Sequence, residues 1–360
     1  MRRRSIRPFL GSLSAAGFAL LFTGLAPFLA GLAPMAAGAG SALSAQETHL
    51  LVVVGLGGDA QYRDRFHGWA SDLISASKER FSLTDEHIVY LGERPDDHPD
   101  EIHDRSTVEN VGASLAAMAA TARPNDRILV VLIGHGSGTG EEVEVNLPGP
   151  DLTPQALDVM LSDFPTQAVA VVNTTPSSGP FAAALSGPNR IILTATRTAQ
   201  ERNETQFGGF FVEALTDDGS DLDKNGRLSL AEAFQYAFEE TGRYYESRNL
   251  LATEHALLED DGDGQGSSEL GEGATDGAVA SRFWIGFTPM ASGAVAATDS
   301  IMDPELIRLM GEKAELERRV MELRGLRGQM EESRYEEELE ALLIELALKN
   351  REIREQGGGE

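Results

Sequence analysis

Short apolar runs alternate with amphipathic segments along the first two thirds of the chain. The apolar runs have the character of buried strands and are THLLVVVG, HIVYLGE, RILVVLIG, AVAVVNTT and IILTAT. Between them, apolar residues recur at helical spacing in segments 65–81, 106–120, 153–161 and 179–185. Strands rich in Val, Ile and Leu that alternate with helices predict an α/β domain with a mainly parallel sheet and helices on both faces.

The pattern changes toward the C-terminus. An amphipathic helix is predicted over residues 231–246, and RFWIGF at residues 282–287 is expected to form a last strand. Further on, leucines recur at coiled-coil spacing in two runs, one beginning at Leu306 and the other at Leu339. The two runs predict a C-terminal α-helical hairpin, with one long coiled-coil helix as the alternative.

The N-terminus predicts export. A basic start, MRRRSIR, precedes an apolar, Gly- and Ala-rich stretch with a plausible cleavage junction after Ala45, although a retained membrane anchor is the alternative. We predict a periplasmic or extracellular protein with no stable membrane span after removal of the leader. Its segments are a signal peptide (1–45), the α/β domain (46–290), a linker (291–302) and the hairpin or coiled coil (303–356).

The composition narrows the possible functions. The formal net charge is -27, and such an acidic surface repels phosphate backbones, which argues against nucleic-acid binding. The acidic surface suits cations or basic partners. The chain has no cysteine, so it has no disulfide, no thiolate metal site and no thiol nucleophile.

A glycine-rich segment, GLGGDA, follows the first strand and loosely fits a dinucleotide-binding fingerprint. Gly55, Gly57 and Ala60 stand in place, but the acid expected to bind ribose would be Glu93. That residue lies 93 - 55 = 38 positions after Gly55 instead of about 20. The spacing disfavours a dinucleotide site.

A histidine carries the main chemical signal. His135 lies between two glycines at the end of the strand RILVVLIG, and the next strand leads into the turn PSSGPF. Functional residues of parallel sheets gather at the carboxyl ends of strands. A base on one strand end and a turn on the next is the arrangement needed for histidine-assisted nucleophilic attack.

On these residues, the segment from about Thr48 to Leu250 resembles caspase-type peptidases of the legumain sort. The family carries a strand ending in His-Gly, and then a next strand that leads to the nucleophilic cysteine, one variable residue and Ser-Gly. VVVGLGGDAQYRDRF and STVENV are also similar to the family's first strand and one of its helix starts. The resemblance implies that Arg63 binds an acidic or amide side chain; alternatively, Arg63 pairs with Asp59 or Asp64.

The chain departs from the family at the nucleophile. Counting back from Ser-Gly, the cysteine position falls on Pro176, or on Thr175 after a slip of one residue. Thr175 or Ser177 offers a hydroxyl that His135 could activate, with an oxyanion hole at Gly136. The alternative is that these hydroxyls only satisfy turn and cap hydrogen bonds.

The missing thiol leads to three functional hypotheses. We favour a pseudoenzyme that acts as a binding or scaffold module for a peptide or protein partner. The first alternative is an active Ser or Thr hydrolase. The second is a structural protein that works through its C-terminal helices, which could also mediate self-association.

The segment DLDKNGRLSLAE has the spacing of an EF-hand calcium loop, with glycine at the sixth position. Helical sequence precedes and follows it. Calcium prefers hard oxygen ligands, which this loop offers. The predicted ligands are Asp221, Asp223, Asn225, the Arg227 carbonyl, Ser229 and Glu232.

A second stretch, DGDGQGSSELGE, shows similar offsets. It would bind calcium through Asp261, Asp263, Gln265 and Glu272. The prediction is weaker, because Ser268 occupies the position of the usual hydrophobic residue and no clear helix follows.

Overall fold

The computed structural model describes residues 46–270, 274–286, 309, 316, 319, 320, 323 and 332–356. The predicted signal peptide and the predicted linker (291–302) lie outside the described residues.

A seven-stranded sheet forms the centre of the domain, in the order β3-β2-β1-β4-β7-β8-β9. Neighbouring strands are parallel except for β9, which pairs antiparallel with β8. Two short strands, β5 and β6, form a separate antiparallel hairpin. The strands are β1 (Thr48–Val54), β2 (Ile88–Gly92), β3 (Asp104–Arg105), β4 (Arg127–Ile133), β5 (Gly136–Thr139), β6 (Glu142–Val145), β7 (Ala168–Asn173), β8 (Arg190–Thr194) and β9 (Leu257–Glu259).

Helices cover both faces of the sheet. They are α1 (Ala60–Glu79), α2 (Val108–Thr121), α3 (Pro154–Leu161), α4 (Pro180–Leu185), α5 (Phe207–Thr216) and α6 (Leu230–Ser247). Alternate β4 side chains point to opposite faces. Leu129 and Val131 pack with α1, α5 and α6, whereas Ile128 and Val130 pack with α2, α3 and α4. The predicted α/β class with a mainly parallel sheet is confirmed.

The last strand of the sheet differs from the prediction. It is β9, whose three residues LLE are too short to show a periodic signal. Within the described part of segment 282–287, Trp284 makes only an isolated bridge to Ser229. The backbone nitrogen of Ile285 also donates to the Leu228 carbonyl (3.1 Å), so this apolar segment pairs with the loop before α6.

The described C-terminal residues form an apolar cluster of their own. Helix α7 (Glu332–Gln356) contributes Tyr335 and Leu342, which are buried together with Leu316, Val320 and Leu323. The hairpin itself stays a prediction, because most of its first run lies outside the described residues. No described helix combines the length and the apolar character needed to cross a membrane.

Candidate site at the carboxyl edge of the sheet

The carboxyl ends of β4 and β7 meet at one edge of the sheet, as the parallel pairing requires. Gly136 follows His135 and lies against the turn after β7. A Cβ atom added at Gly136 would lie 2.3 Å from the Pro176 carbonyl oxygen and 2.6 Å from Thr175 Oγ1. Only glycine fits this approach. The structure thus brings the predicted histidine segment and the predicted turn together.

His135 is half-buried between aromatic rings. Its ring centroid lies 4.7 Å from that of Tyr62 and 5.2 Å from that of Phe66, both in edge-on geometry. Among the described residues, no side chain hydrogen-bonds to its ring nitrogens. The Tyr62 hydroxyl donates to Glu204 (2.8 Å), which also pairs with Arg65. The imidazole is therefore held by packing, and no described side chain orients it as a base.

The Thr175 hydroxyl is hydrogen-bonded to Asn173 and not to His135. Thr175 Oγ1 donates to Asn173 Oδ1 (2.7 Å), and the Thr175 backbone nitrogen donates to the same oxygen (3.0 Å). The residue is 1% exposed. Thr175 thus closes a local turn, which is the alternative that the sequence left open.

Ser177 is also committed to the turn. Its hydroxyl donates to the Ala199 carbonyl (3.0 Å), its backbone nitrogen donates to the Glu201 carbonyl (2.9 Å), and it is 1% exposed. Ser178 Oγ lies 3.1 Å from Thr196 Oγ1. Neither predicted hydroxyl is hydrogen-bonded to His135 in this arrangement.

Residues distant in sequence support the turn. The Thr205 hydroxyl donates to the Thr174 carbonyl (2.6 Å), and His255 Nδ1 lies 2.7 Å from a Glu201 carboxylate oxygen.

The Glu254 carboxylate accepts from the backbone nitrogens of Gln206 (2.7 Å) and Phe207 (3.1 Å) at the start of α5. Burial raises the pKa of Glu254. Sequence reasoning missed these residues, because no local motif marks them.

Arg63 lies over the glycine-rich loop. Its Nη1 donates to the Gly58 carbonyl (3.1 Å), and its side chain packs so closely on Gly57 that an added Cβ there would lie 2.5 Å from Arg63 Cγ. Asp59, one of its proposed partners, instead caps α1 by accepting from the Tyr62 nitrogen (3.1 Å). Neither Asp59 nor Asp64 forms an ion pair with Arg63 among the described contacts.

The contacts of the same loop disfavour a dinucleotide-binding site. Glu93, the acid that would have bound ribose, accepts from the Gly57 backbone nitrogen (3.0 Å). Its carboxylate is 14% exposed and also pairs with Arg94. Glu93 therefore shapes the loop itself.

The predicted calcium loop lies between α5 and α6. Ligand oxygens of Asp221, Asp223 and Glu232 lie within 4.8 Å of one another. Burial raises the pKa of Asp223, and the nearby Glu232 charge raises it further. A cation would relieve this repulsion.

The remaining predicted ligands of this loop shape its backbone. Asn225 Oδ1 accepts from the Arg227 nitrogen (2.8 Å), and Ser229 forms a reciprocal capping box with Glu232 at the start of α6. Gly226 has φ +80°, a conformation that favours glycine. The loop is thus folded with its carboxylates gathered.

The second predicted calcium loop is assembled differently from the prediction. Asp261 and Asp263 lie together, but their partner is Glu259, the last residue of β9, with ligand oxygens within 4.8 Å of one another. Gln265 contributes its backbone nitrogen to Asp263 Oδ1 (2.6 Å). Glu272 lies outside the described residues.

Comparisons with known proteins find distant likenesses among solved structures and no sequence family. No family model and no curated protein sequence matches the chain. The Drosophila initiator caspase Dronc matches with 12% identity and a TM-score of 0.35, over 54% of this chain and 72% of that one. Protein GSU0716 from Geobacter sulfurreducens matches with 13% identity and a TM-score of 0.39, over 59% of this chain and 92% of that one.

The sheet and its helices define the class, an α/β protein with a mainly parallel sheet. At identities and TM-scores this low, the likenesses say nothing about activity. The legumain-type assignment stays a prediction.

Proposed function

We propose that this protein is an exported caspase-type domain without a working nucleophile, which binds a peptide or protein partner and is stabilised by calcium. One observation carries the proposal. The resemblance assigns the nucleophile position to Pro176, or to Thr175 after a slip of one residue, and the hydroxyls of Thr175 and Ser177 donate to internal acceptors while only 1% exposed. A hydroxyl that is buried and already donating is poorly placed for attack on a carbonyl.

A binding role uses the groups that remain accessible at this edge. The half-buried His135 and Arg63 lie on the segments that follow β4 and β1, two adjacent parallel strands. The Arg63 guanidinium donates to a main-chain carbonyl, and no acid in the described part of the chain forms an ion pair with it. It can bind an acidic or amide side chain of a partner peptide through charge-assisted hydrogen bonds.

The calcium part of the proposal concerns the loop from Asp221 to Glu232. Calcium takes six to eight oxygen ligands, and the loop gathers three carboxylates within reach of one ion. Leu228, between two ligand positions, is buried and accepts a backbone hydrogen bond from Ile285 (3.1 Å), which anchors the loop to the core. A bound ion would therefore stabilise the whole domain.

The partner-binding claim can be tested with an immobilised library of peptides that differ in acidic residues. We expect the mature protein to retain peptides with an acidic or amide side chain, held locally by the Arg63 cation although the overall surface is acidic, without cleaving them, as judged by mass spectrometry of the eluted peptides. Arg63→Ala should weaken retention at least tenfold, because it removes the cation. Arg243→Ala, at an arginine that is 57% exposed on α6, is the matched control and should change nothing.

Two other results would change the proposed function or the role of Arg63 in it. Cleaved peptides that depend on His135 would favour the active hydrolase, for which the glycine-flanked histidine is the supporting observation. Equal retention by wild type and Arg63→Ala would remove Arg63 from the binding surface.

One observation also favours the alternative that this is a structural protein working through its C-terminal helices. Helix α7 exposes three large apolar side chains, Leu343, Ile344 and Leu348, by 42%, 53% and 44%. An apolar helix face of this kind suits self-association. Deleting residues 303–360 should leave the core folded; a change from oligomer to monomer in analytical ultracentrifugation would assign association to the C-terminal helices.

A further inference from the structure

The acidic loop after β9 contains a buried carboxylate with one unsatisfied oxygen. Glu259 is 0% exposed. Its Oε1 accepts from Ser186 Oγ (2.8 Å) and from the backbone nitrogens of Gly262 (2.8 Å) and Gly264 (3.2 Å). Its Oε2 is equally buried and has no hydrogen-bond partner. A buried polar atom without a partner costs free energy, so this oxygen needs an explanation.

The neighbouring acid shows what a satisfied carboxylate looks like in the same loop. Asp260 is also buried, and both of its oxygens accept backbone hydrogen bonds, from Gly277 (2.9 Å), Val279 (2.8 Å) and Ala280 (2.7 Å). Asp260 is a structural cap. Glu259 has no comparable set of donors for its second oxygen.

Two exposed acids complete the arrangement. Ligand oxygens of Glu259, Asp261 and Asp263 lie within 4.8 Å of one another. Three carboxylates at this separation repel one another, and the repulsion is greatest for the buried member, which water screens least. A cation bound by both oxygens of Glu259 and by the two aspartates would offset the repulsion and give Oε2 a partner.

We propose that Glu259, Asp261 and Asp263 hold a calcium ion, with Glu259 as the buried anchor. All three donors are carboxylates, the hard oxygen ligands that calcium prefers, whereas zinc sites draw mainly on His and Cys. Main-chain oxygens and water complete such shells. This site is independent of the loop at 221–232, and its anchor comes from a strand that the spacing pattern did not include.

The ion would act where the edge strand meets α4. Ser186, the C-cap residue of α4, donates to Glu259, and the bridge between Leu258 and Ser267 closes the base of the loop. Helix α4 begins directly after the turn at the carboxyl edge of the sheet. Calcium at Glu259 would therefore fix the position of β9 against α4.

The test is isothermal titration of the chelator-treated mature protein with calcium chloride. We expect two equivalents for wild type, one for Glu259→Gln and one for the double variant Asp221→Ala with Glu232→Ala. Glu269→Gln, the same substitution at an exposed acid of the same segment, should leave two. Two equivalents in Glu259→Gln would overturn the proposal, as would no binding by wild type.

The outcomes separate this site from the first loop. One equivalent in wild type that disappears in Glu259→Gln would support this site and refute the loop at 221–232. If Glu259→Gln does not fold, Asp261→Asn with Asp263→Asn replaces it, because both side chains are exposed. That variant should also lose one equivalent, and retention of both would refute the site.

Melting without calcium distinguishes a ligand from a structural acid. Because glutamine removes a buried charge, Glu259→Gln should melt no lower than wild type in chelator and should lose part of the calcium-dependent rise in Tm. A lower Tm in chelator together with an unchanged calcium rise would show that Glu259 is a structural acceptor, and would contradict the proposal.

Discussion

The turn after β7 and the loop before α6 are both rich in polar groups, but they use them differently. In the turn, residues 173–179, hydroxyls and amides bond to one another and to nearby carbonyls inside the protein. In the loop, Asp221, Asp223 and Glu232 gather on a partly exposed surface. The hydroxyls of the turn pair inside the protein, although the buried Asn173 Nδ2 has no described partner, whereas the loop concentrates carboxylate charge that a cation can neutralise.

The largest effect is expected where the turn packs most tightly. A Cβ atom added at Gly179 would lie 2.1 Å from the Arg197 carbonyl oxygen, so Gly179→Ala forces the backbone to move. We expect a loss of about 3 kcal/mol or more in the free energy of unfolding, measured by urea denaturation. Gly242→Ala, on α6 with open space around it, is the control and should stabilise the domain by about 0.5–1 kcal/mol. Equal effects of the two substitutions would show that the turn is not tightly packed.

Calcium should have the next largest effect. At 100 times its dissociation constant, the ion adds about 2.7 kcal/mol per site to the stability, so the Tm of wild type should fall by several degrees in chelator. The double variant Asp221→Ala with Glu232→Ala should lose the contribution of this loop. Glu141→Ala with Glu246→Ala removes the same charge from exposed positions and should keep the full shift. An identical shift in both double variants would refute calcium binding at 221–232.

A smaller effect is expected for a single hydroxyl of the turn. Thr175→Val removes the donor to Asn173 but keeps the shape and the backbone hydrogen bond. We expect a loss of about 1 kcal/mol in unfolding free energy, and no change in calcium affinity. A Thr175→Val variant as stable as wild type would mean that this bond does not hold the turn.

The smallest effect is a dependence on pH. The pKa of Glu254 is raised in the folded state, so the folded protein binds this proton more tightly than the unfolded chain. The contribution of Glu254 to stability therefore increases as the pH falls through the raised pKa toward the ordinary carboxyl value. Unfolding measured in chelator between pH 7 and 4 should show a weaker rise in stability for Glu254→Gln than for wild type. Parallel curves of stability against pH for the two proteins would contradict a raised pKa of Glu254 in the folded state.

The sequence correctly predicted those features of the fold and of the candidate site that depend on local sequence patterns. Val- and Ile-rich runs identified five strands of the sheet, and the spacing from Asp221 to Glu232 identified a loop that does gather its carboxylates. His135 stood out because glycines flank it at a strand end. These features depend on residues that are close in sequence.

The rest depends on distant partners. Glu254 caps a helix that begins 47 residues earlier, and Glu201 meets the turn through a backbone carbonyl. Glu259 becomes a candidate ligand only because β9 joins the edge of the sheet, and three residues are too few to predict that strand. Spacing also could not show that the hydroxyls beside Pro176 point to internal acceptors.

The central claim is that the carboxyl edge of the sheet binds without catalysing. Its most direct test is labelling of the chain from residue 46 onward, in calcium, with a fluorophosphonate probe read by intact-mass spectrometry, for wild type, His135→Ala, Thr175→Ala and Ser177→Ala. We predict no adduct on any of them, because neither hydroxyl is accessible or paired with the imidazole. An adduct on wild type that disappears in His135→Ala and in one hydroxyl variant would contradict the account and identify an active hydrolase.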